Sequence, residues 1–247
     1  MQNWPGRAVR AVRNEGYAIV PVAIDQAVLK TLEDTFDAAI AQISEEAELH
    51  REVQQLIAGW TVPGSAVNAR VWIGSEHAAK GKAMVQGFSP FCGQAAHELA
   101  GTAIADLFEQ LDEIDHIARM TLDRVTPAGA RLPTTIRMLR YDAGDNPGVL
   151  VHEDESVFSL VINEDDGRFR IAPNRQGEPW RSQKLTTPTR ATTDAGYTPA
   201  ILFPGKKIRI VDPNLWPSSH EVLPASGLSH RHSLTVFQQT PGINLAA

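Results

Sequence analysis

The chain has 247 residues, which is enough for one domain of generous size or two small ones. It is 43% hydrophobic and 21% charged, as is typical of a globular protein with a substantial core. A formal net charge of −6 without a basic stripe argues against a nucleic-acid partner, and no apolar run is long enough for a membrane span. The single cysteine, Cys92, allows neither an internal disulfide nor a thiolate zinc site. The first residues lack the apolar segment of a secretory signal, so we expect a cytoplasmic protein.

The N-terminal half reads as mainly helical. Residues 16–22 form a short apolar run that predicts a strand, and Asp25 then stands where a helix N-cap belongs. Residues 59–91 carry many glycines and prolines, which favours loops and short strands, and residues 94–123 predict a second long helix. The polar stretch at 45–52 either extends or closes the predicted helix after Asp25. The apolar residues of that helix lie at helical spacing: Val28, Leu29, Leu32, Phe36, Ile40 and Ile43.

The pattern changes near Pro127, after which short apolar runs alternate with turn residues. Several short strands at this spacing predict an all-β barrel or sandwich, and the lack of strand–helix alternation excludes a dinucleotide-binding fold. Residues 186–197 are rich in Thr, Pro and Ala and predict a long surface loop. The candidate strands are 135–140, 149–152, 156–162, 169–172, 200–203, 208–211 and 233–238.

One pair of residues in this half points to a metal ion. His152 and Asp154 are two positions apart, and at the end of a strand such residues project to the same side. His220 is a candidate third ligand. Two histidines and one carboxylate on one face leave coordination positions open, as non-haem iron(II) oxygenases require. Taken alone, the pair is equally compatible with a polar surface turn, so the surrounding sequence decides.

The surrounding sequence resembles the isopenicillin N synthase-like, 2-oxoglutarate-dependent oxygenases. Residues 152–171, HEDESVFSLVINEDDGRFRI, resemble their segment that carries the first two iron ligands, with an apolar strand, an acidic turn and another strand. Further matches follow in the family's order: Arg140-Tyr141, Glu178-Pro179-Trp180, Ile201-Leu202-Phe203-Pro204-Gly205, His220-Glu221-Val222 and Arg231-His232-Ser233. The resemblance covers residues 135–240 well and residues 15–43 more loosely. A slightly long gap between His220 and Arg231 and an insertion at 186–199 depart from the family.

The resemblance implies a mainly β fold with packed helices. We expect a double-stranded β-helix, a jelly-roll or cupin-like barrel, with a helical N-terminal part. It also implies a single domain over residues 1–247, in which residues 1–126 are mainly helical and residues 127–240 form the barrel core.

The resemblance further implies the cofactors and their ligands. Iron(II) would be held by His152, Asp154 and His220, and 2-oxoglutarate and oxygen would be the co-substrates. The far carboxylate of 2-oxoglutarate would bind Arg231, Ser233 and Tyr141. Since a guanidinium is a planar fork of donors, Arg231 suits that carboxylate.

The reaction implied is iron-centred oxidation of an unactivated C–H bond, with no separate acid or base among the side chains. Relatives that halogenate lack the carboxylate ligand, so Asp154 favours hydroxylation, with desaturation or ring closure left open. Several candidate substrate contacts are cationic, which suggests a small acidic or amino-acid-like metabolite; any one of them is equally explained as a solubilising surface residue. The candidates are Arg70, Trp72, Phe88, Arg137 and Arg168, with Lys82 and Gln86.

Two alternatives stay open. One is an iron(II) oxidase of the same fold that does not use 2-oxoglutarate, in which Arg231 and Ser233 would bind a substrate carboxylate. The other is a non-catalytic metal-binding barrel. His230 and His232 flank Arg231, and strand alternation turns His232 away from Arg231 and Ser233. We therefore interpret His232 as structural, and one of these two histidines is a candidate substrate contact.

Overall fold

The computed structural model describes residues 3–58, 70–72, 82–127, 131–142, 148–163, 168–172, 185–188, 196–224 and 230–240. Within them the helices are α1 (Trp4–Glu15), α2 (Gln26–Glu45), α3 (Ala47–Ala58), α4 (Ser89–Glu98), α5 (Ala103–Asp123) and α6 (Ile208–Val211). The strands are β1 (Ala18–Val22), β2 (Arg70–Trp72), β3 (Lys82–Gly87), β4 (Thr134–Tyr141), β5 (Val149–His152), β6 (Phe158–Asn163), β7 (Phe169–Ile171), β8 (Thr198–Pro204), β9 (His220–Val222) and β10 (Arg231–Gln238).

The strands form two antiparallel sheets. The major sheet has seven strands in the order β1-β8-β6-β10-β4-β3-β2, and the minor sheet has three in the order β5-β9-β7. Neighbouring strands come from distant parts of the chain, as in a double-stranded β-helix, so the predicted fold is confirmed. Helix α5 lies against the major sheet, and α2 and α4 pack on α5.

The N-terminal elements show where sequence patterns held and where they failed. Asp25 caps α2, since its carboxylate accepts a hydrogen bond of 2.8 Å from the Ala27 N–H. Val28 is 46% exposed, although the spacing assigned it to the apolar face of α2. The long helical region predicted over 94–123 consists of two helices, because a left-handed Gly101 and the N-cap Thr102 separate α4 from α5.

Two further elements escaped the sequence patterns. Helix α1 was not predicted, although it has a proline in its first turn and ends on Gly16 in the left-handed conformation. Residues 45–52 neither extend nor simply close α2, since extended backbone at Glu46 separates it from α3.

The β half was read more accurately. Six of the seven candidate segments overlap strands of the structure. Residues 208–211 were predicted as a strand and instead form α6, in which Ile208 is buried and Ile210 is 68% exposed. Strand β9 was not predicted, because its sequence His-Glu-Val contains only one apolar residue.

The major sheet is not confined to residues 127–240. Strands β1, β2 and β3 come from the N-terminal part and complete both edges of this sheet. The boundary near residue 126 thus marks a change in sequence pattern rather than an edge of the sheet. The single-domain assignment stays a prediction. Among the described helices, none combines the length and the apolar character that crossing a membrane requires.

Candidate metal centre

Strand pairing brings the two histidines of the predicted triad together. His152 is the last residue of β5 and His220 the first of β9, and the two are direct cross-strand partners. Asp154 follows two residues after His152, where the chain leaves the minor sheet for β6. The backbone of this connection is fixed, because the Asp154 carbonyl accepts a hydrogen bond of 2.8 Å from the Lys206 N–H. Gly205 makes the approach feasible, since a Cβ there would lie 2.7 Å from that same carbonyl oxygen.

The three side chains converge on one point. The Nε2 atoms of His152 and His220 lie 3.5 and 3.6 Å from the same oxygen, Oδ1 of Asp154. The two imidazole centroids are 4.2 Å apart with the ring planes inclined by 53°. Metal–ligand bonds of about 2.1 Å place adjacent ligand atoms roughly 3 Å apart around one ion. The separations are therefore slightly wider than a bound ion would require, and a small contraction would close them.

Hydrogen bonds orient each of these side chains. Nδ1 of His152 lies 2.8 Å from the Leu150 carbonyl, and Nδ1 of His220 lies 3.3 Å from the Ser218 carbonyl. Since a carbonyl only accepts, these contacts assign the N–H to Nδ1 and leave the Nε2 lone pairs facing Asp154. Ser159 fixes the carboxylate by donating to Asp154 Oδ2 at 2.5 Å, so Oδ1 faces the histidines.

Electrostatics favour an ionised Asp154 and a neutral His220, which are the states that bind a metal. Burial alone would raise the pKa of Asp154, but His220, His152 and Ser159 outweigh it and lower the pKa to about 2. Burial lowers the pKa of His220. Burial also acts to lower the pKa of His152, but Asp154 and the Leu150 carbonyl both favour the charged ring and together raise that pKa. An ionised carboxylate beside a neutral, buried imidazole is a donor set that fits a divalent ion such as iron(II).

The site lies in a cavity between the two sheets. Its apolar wall includes Phe169 and Phe203, whose ring centroids lie 5.4 and 4.6 Å from that of His220. These rings make the core-facing side of the candidate site apolar. The remaining lining residues are Lys82, Arg137, Leu139, Tyr141, Val149, Val161, Val222, Ser233, Thr235 and Phe237.

No family model matches the chain, and no curated protein matches its sequence. Solved structures do match its fold. The dioxygenase for auxin oxidation from rice superposes with a TM-score of 0.65 at 14% identity, covering 96% of this chain and 78% of that one. The dioxygenase for auxin oxidation 1 from Arabidopsis thaliana, in a 2-oxoglutarate binary complex, gives 0.59 at 13% identity, with 96% and 88% covered. JOX2 in complex with 2OG, Fe and JA gives 0.56 at 13% identity, with 95% and 70% covered.

The chain has the fold of the 2-oxoglutarate/iron(II) oxygenases. At 13–14% identity these neighbours establish the architecture of the barrel. The His-x-Asp pair and the distant histidine therefore stand in a barrel whose interior is open to a small ligand.

Within this oxygenase fold, the three residues predicted to bind 2-oxoglutarate lie on neighbouring strands. Arg231 begins β10 and is the cross-strand partner of Tyr141 on β4, with its guanidinium carbon 4.0 Å from the centroid of the tyrosine ring. Tyr141 and Ser233 are buried and line the cavity, whereas Arg231 is half-buried and is not among the lining residues. The arrangement places the Arg231 guanidinium close to the hydroxyl-bearing side chains of Tyr141 and Ser233.

The candidate substrate contacts are distributed unevenly. Arg137 lines the cavity, with its Nε donating to Gln86 Oε1 at 2.8 Å and its guanidinium carbon 4.6 Å from the Phe237 ring centroid. Phe88 is buried in the main hydrophobic core and is not among the lining residues. Arg168 is half-buried and is likewise not among them. The side chains of Arg70 and Trp72 lie outside the described residues, although their backbone forms β2.

Several important residues had no sequence signal of their own. Ser159 lies in the apolar strand FSLVIN, and a single hydroxyl there indicates nothing about a partner five residues earlier. The alternation argument for His232 is confirmed, since His230 and His232 both contact Asp37 of α2 on the outer side of β10. Nothing in the sequence pointed to Asp37, which is far from both histidines along the chain.

Proposed function

We propose that this protein is a non-haem iron(II), 2-oxoglutarate-dependent oxygenase that oxidises a C–H bond of a small anionic substrate. The observation that carries the proposal is the convergence of His152, Asp154 and His220 inside the barrel, with both Nε2 atoms facing one carboxylate oxygen. The same fold in proteins whose structures contain 2-oxoglutarate supports the choice of co-substrate.

The chemistry of the reaction belongs to iron and 2-oxoglutarate, which together activate oxygen and yield succinate and carbon dioxide. The chain would hold the metal through His152, Asp154 and His220, with Ser159 keeping the carboxylate in its orientation. Phe169 and Phe203 would keep water away from the buried side of the centre.

We assign the far carboxylate of 2-oxoglutarate to Arg231, Ser233 and Tyr141. A guanidinium and two hydroxyl groups on adjacent strands provide the charge and the donors that a carboxylate needs. Since Arg231 lies against Tyr141, which lines the same cavity as the proposed metal ligands, 2-oxoglutarate would extend from the metal toward Tyr141 and Arg231.

The cavity offers further positive charge for the substrate. Lys82 and Arg137 both line it, and the Lys82 ammonium lies 5.5 Å from the centroid of the Tyr141 ring. Two cations in addition to Arg231 favour a substrate with a carboxylate or a similar anionic group. Hydroxylation is the expected outcome, because Asp154 retains the carboxylate ligand; desaturation or ring closure would follow from the same hydrogen abstraction. Cytoplasmic localisation stays a prediction from the sequence.

The decisive test is oxygen-dependent conversion of 2-oxoglutarate to succinate by iron(II)-loaded protein, during a screen of small carboxylic acids. We expect succinate release that some member of the screen stimulates, and none from protein stripped of metal. Product formation without succinate would identify the same-fold oxidase instead. Neither product nor succinate from folded, iron-loaded protein would favour the non-catalytic barrel.

The anionic character of the substrate is tested separately. Once a stimulating acid is found, Arg137→Gln and Lys82→Gln should raise its KM about tenfold each while leaving the KM for 2-oxoglutarate within twofold, since one charge-assisted contact is lost. Lys206→Gln, an exposed lysine paired with Glu155, is the matched control. Equal KM values for all three variants and the wild type would remove the substrate assignment without affecting the cofactor assignment.

A further inference from the structure

A second cluster of two histidines and a carboxylate lies outside the barrel. The Nε2 atoms of His230 and His232 lie 3.0 and 2.9 Å from the two oxygens of Asp37, Oδ2 and Oδ1 respectively. The imidazole centroids are 5.3 Å apart, and the candidate ligand atoms of the three residues all lie within 4.8 Å of one another. The cluster joins the outer side of β10 to helix α2, whereas the ligands of the barrel site come from the minor sheet and the connection beyond it.

We propose that Asp37, His230 and His232 form a second metal site, which binds zinc or a similar imidazole-preferring divalent ion. Zinc bonds of about 2.0 Å in a tetrahedron place ligand atoms roughly 3.3 Å apart, close to the separations between Asp37 and the two histidines. Imidazole and carboxylate ligands suit zinc, and three protein ligands leave a fourth position for water. The proposal is independent of the function proposed for the barrel.

The surroundings supply the support that such a site needs. Glu33 Oε1 lies 4.0 Å from Nδ1 of His232, on the side of the ring opposite the proposed ion. Phe36 packs against the same imidazole at a centroid distance of 6.1 Å, and the His232 side chain is only 7% exposed. The ring that would bind the ion is therefore held in place before the ion arrives.

A cation close by does not oppose the site. Nη1 of Arg140 lies 3.2 Å from Asp37 Oδ1, and the same guanidinium pairs with Asp142 at 3.0 Å. Asp142 thus offsets the charge of Arg140, and the hydrogen bond from Arg140 leaves Oδ2 of Asp37 available to the ion. Ligating carboxylates commonly accept such a bond on the oxygen that does not bind the metal.

The geometry also gives the ion a route. The side chain of His230 is 49% exposed and that of Asp37 is 30% exposed, so the site opens to solvent on one side. Binding through Nε2 would require each neutral imidazole to carry its proton on Nδ1. Since His230 and His232 flank Arg231, an ion here would tie to α2 the end of β10 that carries the proposed 2-oxoglutarate arginine.

The test counts zinc ions bound by the metal-stripped full chain, using competition with a coloured chelator. We expect two per wild-type chain, one in His230→Ala, one in Asp154→Ala and none in the double variant. His97→Ala, which removes an exposed histidine of α4, should still bind two. One ion in the wild type and one in His230→Ala would overturn the proposal, and so would two in both.

Two additional variants guard against loss of folding. Asp37→Asn keeps the shape of the side chain but removes the charge, and it should weaken the second zinc at least tenfold while circular dichroism stays unchanged. Cobalt(II) added to Asp154→Ala should give the intense visible absorption of a tetrahedral site, which disappears when His230→Ala is added. If Asp154→Ala does not fold, the comparison of wild type with His230→Ala decides alone.

Discussion

The molecule contains two clusters with the same three side chains, two histidines and one aspartate, in contrasting settings. In the barrel, both Nδ1 atoms contact backbone carbonyls, and the Nε2 atoms lie 3.5 and 3.6 Å from Asp154. Outside it, the Nε2 atoms of His230 and His232 lie within hydrogen-bonding distance of Asp37, at 3.0 and 2.9 Å. In the barrel the two imidazoles are thus oriented by backbone carbonyls, whereas in the outer cluster both imidazoles contact the carboxylate directly.

The difference between the two clusters shows how the ligands of a reactive metal site are oriented. A site that must keep coordination positions open needs ligands oriented from behind, as Leu150, Ser218 and Ser159 orient the inner cluster. In the outer cluster the Asp37 carboxylate itself contacts both Nε2 atoms, so the three side chains are oriented toward one another. Identical residue types therefore do not imply identical function, and the hydrogen bonds behind them separate the two roles.

The largest expected effect comes from replacing the aspartate of each cluster in turn. Asp154→Ala should weaken iron(II) binding more than 100-fold and abolish turnover, because a ligand is lost rather than merely loosened. Asp37→Ala should leave both within twofold. Iron affinity comes from equilibrium dialysis and turnover from succinate release. Loss of turnover in Asp37→Ala with retention in Asp154→Ala would reverse the assignment.

A third aspartate shows the case in which burial outweighs the nearby positive charges. Asp115 is fully buried and accepts a hydrogen bond from Thr134, and burial raises its pKa to about 6, whereas the pKa of Asp154 is about 2. Because the folded state binds the proton more tightly than the unfolded state, this carboxyl makes the fold less stable as the pH rises from about 4 to 6.

Asp115→Asn should therefore stabilise the protein above pH 6. We expect its free energy of unfolding to exceed that of the wild type by about 3 kcal/mol at pH 7, or roughly 100-fold in the folding equilibrium, and the difference to vanish near pH 4. Urea unfolding over this range measures it. Glu113→Gln, exposed on the same helix, should show no such pH dependence. A constant difference for Asp115→Asn would refute the raised pKa.

The proposed 2-oxoglutarate site predicts that substitutions on β10 weaken 2-oxoglutarate binding to different degrees. Arg231→Ala should raise the KM for 2-oxoglutarate about 10- to 100-fold, since a hydrogen bond between charged groups contributes roughly 1.5–3 kcal/mol. Ser233→Ala should raise it only a few-fold. Iron affinity should not change in either variant, which separates this effect from damage to the metal centre. An unchanged 2-oxoglutarate requirement in Arg231→Ala would remove the cofactor assignment.

The smallest of these effects concerns the orientation of the carboxylate. Ser159→Ala removes the hydroxyl that donates to Asp154 Oδ2 and should weaken iron(II) binding about tenfold. Ser156→Ala is the matched control, because the Ser156 hydroxyl lies 2.9 Å from that of Ser159 and reaches Asp154 only through it. Equal losses in the two variants would mean that packing, and not orientation, explains the effect.

Local patterns predicted the elements and the motifs that occupy short stretches of the chain. Asp25 was recognisable as a cap because its neighbours carry the helical period, and His152 and Asp154 because a strand and an acidic turn follow them. The short run at 208–211 misled, since four apolar residues carry no period that separates a strand from a helical turn. Contacts such as Asp37 with His232 depend on the tertiary fold and have no local signal.

We propose that the inner cluster holds iron(II) in a form that binds 2-oxoglutarate. Anaerobic titration of iron(II)-loaded protein with 2-oxoglutarate tests it most directly, through the weak visible charge-transfer band of the chelated metal. We expect the band to saturate in the wild type and in Asp37→Ala and to be absent in Asp154→Ala. In Arg231→Ala the band should require far more 2-oxoglutarate. A folded, iron-loaded wild-type protein without the band would contradict the proposed binding of 2-oxoglutarate by the inner cluster.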